Sequence, residues 1–207
     1  MKLNSGKLCF FSGNKSIMKK TSFLSQMGIL LICMLIISFL SCDRRKKEIN
    51  EQVNKLYSSV IDVPYSEMEA LVVDSAHLPP KADYQILVYV DSTECTPCYA
   101  SHHGEWEGIL KKSRKFAPSI TLSIIIESKD ISMDVKQKFM ASDFDKTILI
   151  DKTGVFRKNN PVFPESNIMH VLLLDKNNKV VLVGNPLNNE KIKELLYSKL
   201  RESTKNV

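Results

Sequence analysis

Glycine, proline and cysteine are scarce in this chain: seven, eight and five among 207 residues. These counts exclude a collagen-like chain, a repeat array and a disulfide-held scaffold. The sequence has no GxGxxG, no P-loop, no HExxH and no GxSxG. Residues 1–42 have no acidic side chain but hold Lys2, Lys7, Lys15, Lys19 and Lys20. The formal charge of +6 is therefore concentrated there, and the remainder carries 24 basic residues against 23 acidic ones, a net of +1. A nearly neutral body offers no basic footprint for a phosphate backbone, so nucleic acid is not an expected partner. With 43% hydrophobic residues the chain can bury a core, and its length fits one domain of ordinary size or two small ones.

Residues 1–42 read as an address. Lys19 and Lys20 precede a run from Phe23 to Ser41 without a charge, and Cys42 follows. Charged segment, apolar segment, small residue and cysteine form a secretory signal layout. Its end, Phe39-Leu40-Ser41-Cys42, resembles the bacterial lipobox, which implies cleavage before Cys42 and lipidation of its thiol. Met18-Lys19-Lys20 offers a second start for the same segment. The alternative is a retained transmembrane anchor, since nineteen uncharged residues just span a core of ~30 Å.

The other cysteines carry the chemistry. Cys9, Cys33 and Cys42 fall in the address segment, leaving Cys95-Thr96-Pro97-Cys98. A structural zinc site needs a second ligand pair, and no second CxxC exists. So short a loop makes a poor stability staple. A lone CxxC in an exported body points to a redox pair.

Tyr84–Asp91 (YQILVYVD) is a buried-strand run, and Ser92-Thr93-Glu94 a turn. A helix is expected to begin at Cys95, with Pro97 in its first turn. Tyr99, His102, Trp106, Ile109 or Leu110, Ser113 and Ala117 continue it at helical spacing up to Pro118, although Gly104 and Gly108 weaken it by ~1 kcal/mol each. Further expectations are a strand at Ser119–Glu127, a short helix at Met133–Ala141 and a strand at Thr147–Asp151. Lys152–Asn167 reads as loop with one helical turn near Val155. Met169–Asp175 and Lys179–Gly184 flank an Asn-rich turn and predict an antiparallel hairpin. Asn188 or Asn189 caps a last helix with Ile192, Leu195, Leu196 and Leu200 on one face.

Strands alternating with helices imply an α/β domain with a mainly parallel central sheet, helices on both faces and a C-terminal antiparallel hairpin. The strand–CxPC–helix unit followed by strand–turn–strand–helix resembles the thioredoxin fold, and more closely the membrane-tethered, TlpA-like relatives of bacterial envelopes. The chain reads as an address (1–42), a tether and N-terminal helical extension (43–83) and a thioredoxin-like domain (84–207). Within the extension, Ile49, Val53, Leu56, Tyr57 and Val60 form a helical stripe, and Ala70–Val73 an added strand.

The resemblance implies a membrane-anchored thiol–disulfide oxidoreductase without a cofactor, exported and lipid-anchored in a bacterial envelope. Cys95, at the helix start, is the expected attacking thiolate; Cys98, one turn in, is the expected resolving thiol. A Pro97 in the loop implies a reductase. Its partners would be protein or small-molecule disulfides and an unidentified thiol electron donor. Three positions depart from the family pattern. Glu94 stands where thioredoxins have Trp, Tyr89 where they have a buried acid, and His170 where they have a cis-proline facing the cysteines. Pro97, Glu94 and His170 are the expected substrate groove. A rival reading follows from His170: copper-handling Sco proteins share the fold and carry a His there, so Cys95, Cys98 and His170 form an alternative metal set, with His102 a possible addition. A thioredoxin-like binding module without redox chemistry is the third reading. His77 and His103 are expected in a loop and facing solvent.

Overall fold

The apolar runs become one sheet. In a computed structural model describing residues 44–72, 82–117 and 119–204, the strands are β1 (Glu69–Val72), β2 (Tyr84–Val90), β3 (Ile120–Glu127), β4 (Thr147–Asp151), β5 (Val171–Asp175) and β6 (Val180–Val183). Helices are α1 (44–57), α2 (Thr96–His102), α3 (Trp106–Ser113), α4 (Met133–Met140), α5 (Val155–Asn159) and α6 (Glu190–Thr204). The address segment, Cys42 and His77 lie outside the described residues. The chain divides into two compact units, Met1–Asn50 and Glu51–Val207, and the second holds the whole sheet.

The strand order is β1-β4-β3-β2-β5-β6. The central strands β2, β3 and β4 run parallel, the pattern expected of a βαβ chain whose strands are buried on both faces. Antiparallel strands are added on either side, β1 on β4 and the β5–β6 hairpin on β2, so the sheet as a whole is mixed. The hairpin turn uses Asn178 at φ 59°, a conformation Asn tolerates. Ser59 and Ile61 hydrogen-bond to this hairpin, Ile61 N–H to the Asn178 carbonyl at 2.9 Å and Val180 N–H to the Ser59 carbonyl at 3.3 Å. This short bridge, Val60 opposite Lys179, pairs groups that an edge would otherwise leave open.

Alternation along the strands sorts the core into two layers. Ile86, Val88, Leu122, Ile124 and Ile148 face Trp106, Leu110, Phe139 and Leu200 from α3, α4 and α6. Leu87, Tyr89, Ile125 and Leu149 face Leu56 of α1, Phe156 of α5 and Phe163. Each fully buried large side chain contributes about 1.5–3 kcal/mol. Helices therefore cover both faces, as expected.

Local expectations need four corrections. The helix after Cys95 is not continuous, because His103–Glu105 tighten into a 3-10 turn between α2 and α3. That turn rotates the following faces, so His103 is buried while His102 is exposed beside Glu105. In α1 only Leu56 is fully buried; Tyr57 and Val60 of the stripe face outward. In α6, Leu196 and Leu200 are buried but Leu195 is exposed, while Asn189 caps the helix by accepting from the Lys191 and Ile192 N–H groups at 3.0 and 3.3 Å.

Candidate active site

β2 delivers the chain to the site. Its last residues, Tyr89 and Val90, pair with Ile125 and Ile126 of β3, the Tyr89 N–H donates to the His170 carbonyl at 2.9 Å, and Asp91 starts the turn. Asp91 Oδ1 accepts the Thr93 N–H at 2.6 Å and the Thr93 hydroxyl at 2.5 Å, while the Glu94 N–H donates to the Asp91 carbonyl at 3.0 Å. Cys95 is the N-cap of α2: its sulfur accepts the Cys98 N–H at 3.3 Å. Pro97 occupies the first turn, where no N–H is needed.

Cys95 and Cys98 are joined as a disulfide with Cα atoms 5.2 Å apart. Both cysteines are exposed, and so is Pro97. His102 is exposed, and it pairs with Glu105 at 3.3 Å. His103 is held by the Ala100 carbonyl at 2.7 Å and by the Ser142 hydroxyl, against Phe139. Burial pushes the His103 pKa down.

His170 does not line an open groove. It is 2% exposed, because it ends a 3-10 turn (Asn167–Met169) directly before β5. Its ring stacks on Phe163 at 5.2 Å and meets Tyr89 edge-on at 5.4 Å. Nε2 lies 3.0 Å from the Pro164 carbonyl, and Nδ1 lies 3.4 Å from Glu94 Oε1. Burial lowers the His170 pKa, helped by the Arg157 charge and opposed by the Pro164 carbonyl. Glu94 is half-buried and turned toward His170; burial and the Asp91 charge push its carboxyl above the usual range. The alternative metal set is thus not the cluster formed. With the sulfurs joined, the ligand-type groups that meet at His170 among the described residues are Asp91 and Glu94.

A second ring of side chains, absent from the sequence-based site, organises this end of the sheet. Arg157 projects from α5 and donates to Tyr89 Oη at 3.2 Å, to Asp91 Oδ2 at 3.3 Å and to the Pro164 carbonyl at 3.4 Å. Its guanidinium lies 5.0 Å above the Tyr89 ring. Tyr89 donates its hydroxyl to Glu127 Oε2 at 2.6 Å. Burial would raise the Asp91 pKa, but the Thr93 hydrogen bonds and the charges of His170 and Arg157 outweigh it and hold the carboxyl below its ordinary value. Arg157 is aimed by Asp151, whose two oxygens accept the Val155 and Phe156 N–H groups at 2.9 Å each. Gly154 at φ 69° makes that turn.

The arrangement of a CxxC disulfide between a parallel central strand and a helix, closed by a hairpin and a last helix, is that of a thioredoxin-like fold. Comparison with solved structures returns proteins of that type. A putative thiol:disulfide interchange protein DsbE from Chlorobium tepidum is 16% identical, with 69% of this chain and 98% of that chain covered and a TM-score of 0.45. A thioredoxin-like protein from Bacteroides caccae is 20% identical over 73% of this chain and 53% of that one, TM-score 0.44. Peroxiredoxin Q from Xanthomonas campestris is 12% identical over 70% and 99%, TM-score 0.45. No protein-family model and no curated protein matches the sequence.

Proposed function

We propose that the chain is a thiol–disulfide oxidoreductase that reduces disulfides through Cys95 and Cys98. One observation carries this reading: the two cysteines are paired, exposed and placed in the first turn of α2. In the reduced protein the Cys95 thiolate attacks one sulfur of a substrate disulfide. The substrate S–S bond breaks, a mixed disulfide forms and one substrate thiolate leaves. Cys98 then attacks the Cys95 sulfur, forming the Cys95–Cys98 bond and releasing the second substrate thiolate. The substrate gains two electrons and two protons; a donor dithiol returns the enzyme to its reduced form. No cofactor is required. The substrates are protein or small-molecule disulfides, approaching over Pro97.

The place of action is the bacterial envelope, with the signal layout of residues 1–42 and lipidation of Cys42 supplying the anchor. Among the described residues no helix is long and apolar enough to cross a membrane. The test is turnover of a disulfide substrate with a dithiol donor. Cys95→Ser is expected to abolish it, and Cys98→Ser to accumulate a mixed disulfide visible by mass spectrometry. Unchanged turnover in both variants would sink the reading.

A further inference from the structure

His170 Nδ1 and Glu94 Oε1 face each other at 3.4 Å, and neither has a hydrogen-bond donor. The other ring nitrogen, Nε2, lies 3.0 Å from the Pro164 carbonyl. A carbonyl only accepts, so Nε2 carries the ring proton, and in the neutral ring Nδ1 is a bare lone pair. Two lone pairs thus point at one another inside the protein, and something positive belongs between them. Arg157 does not fill that role. It lies on the Nε2 side of the ring at 3.5 Å and divides its charge among Asp91, Glu127 and Glu165, at 3.3, 3.7 and 3.5 Å. Among the described residues no lysine or arginine pairs with Glu94.

We propose that His170 Nδ1, Glu94 Oε1 and a carboxylate oxygen of Asp91 form a binding site for a divalent ion of the zinc class. The ligand atoms of these three residues lie within 4.8 Å of one another. Nitrogen and oxygen ligands at about 2.0–2.2 Å from a tetrahedral zinc stand about 3.4 Å apart, which is the Nδ1–Oε1 separation found. The His170 ring is oriented as metal-ligating histidines are, with the other nitrogen directed at a backbone carbonyl. Asp91 is fixed by Thr93 and Arg157. Three protein ligands leave a fourth position for water. The ligand set contains no sulfur, so the site is complete while the cysteines are joined. It is independent of the proposed dithiol chemistry.

The probe is zinc chloride added to the full chain in mild detergent, stripped with chelator and kept oxidised. Calorimetry should show one zinc per chain. X-ray absorption should show nitrogen and oxygen neighbours at about 2.0–2.2 Å and no sulfur at about 2.3 Å. Glu94→Gln and His170→Ala should each weaken binding by more than about tenfold, the least that losing even an outer-shell partner costs. The double variant Cys95→Ser/Cys98→Ser should bind as the parent does. Removing a buried ring can unfold a domain, so the half-buried Glu94→Gln carries the test if His170→Ala loses its circular dichroism. The proposal is overturned by no binding to the oxidised protein, which would leave a shared proton between Glu94 and His170. Sulfur in the first shell, or binding that survives both ligand variants, overturns it as well. Zinc binding without disulfide turnover would support this site while rejecting the oxidoreductase, and the converse holds.

Discussion

The Cys98 amide donates to the Cys95 sulfur at 3.3 Å. After reduction the same N–H stabilises a thiolate at Cys95, whereas no N–H of the helix's first turn is committed to Cys98 in this way. Hydrogen bonds to charged groups contribute about 1.5–3 kcal/mol, and about 1.4 kcal/mol is a tenfold difference in an equilibrium. Cys95 should therefore be alkylated by iodoacetamide roughly tenfold faster than Cys98 at neutral pH. Peptide mass spectrometry of the reduced protein after short pulses checks this. Equal labelling would show that the cap does not discriminate.

Asp151 ties two elements together. It ends β4 and holds the first N–H groups of α5, which carries Arg157. Asp151→Ala should lower the unfolding free energy by about 1–2 kcal/mol, the upper part of the range for a lost helix cap. Asp151→Asn, which keeps an accepting oxygen, should cost less. Urea denaturation of the three proteins at equal m-value gives the comparison.

Acid should destabilise the fold before its carboxylates titrate. His103 and His170 are buried, and both have pKa values lowered from 6.5. Between those lowered values and 6.5 the unfolded chain binds more protons, so stability falls as pH drops through that window and is level above it. Each histidine contributes a slope of at most about 1.4 kcal/mol per pH unit. Glu94 acts in the opposite sense: its pKa is raised from 4.5, so its contribution weakens as pH rises through the interval above 4.5. His103→Asn should flatten the slope below pH 6.5 by one proton's share, measured by urea titrations at several pH values. An unchanged slope would remove His103 from the account.

The strands were legible because they are continuous apolar runs of strand length. The expected bounds of β4 are those found, and those of β2 and β3 differ by one residue at one end. The disulfide was legible because two neighbouring cysteines stand alone in the body. Arg157 was not, because it reaches Tyr89 and Asp91 across 68 and 66 residues, and no local pattern encodes such a pairing. A weaker signal was present. Asp91 and Asp151 both close an apolar strand, and each accepts the N–H two residues on, at 2.6 and 3.2 Å. This Asx turn marks a carboxylate committed to the fold. The exchange of His103 for His102 as the inward residue has a geometric cause. A 3-10 turn advances by 3.0 residues where an α-helix takes 3.6, so a face extrapolated through it is displaced.

The bridge between Ser59–Ile61 and the β5–β6 hairpin fixes where the polypeptide joins the sheet. Tyr84, the first residue of β2, pairs with Asp175 beside that hairpin turn, whereas the disulfide lies beyond the last. Seven residues of strand separate the two levels by about 23 Å. The disulfide therefore lies off the opposite end of β2 from the Ser59–Ile61 bridge.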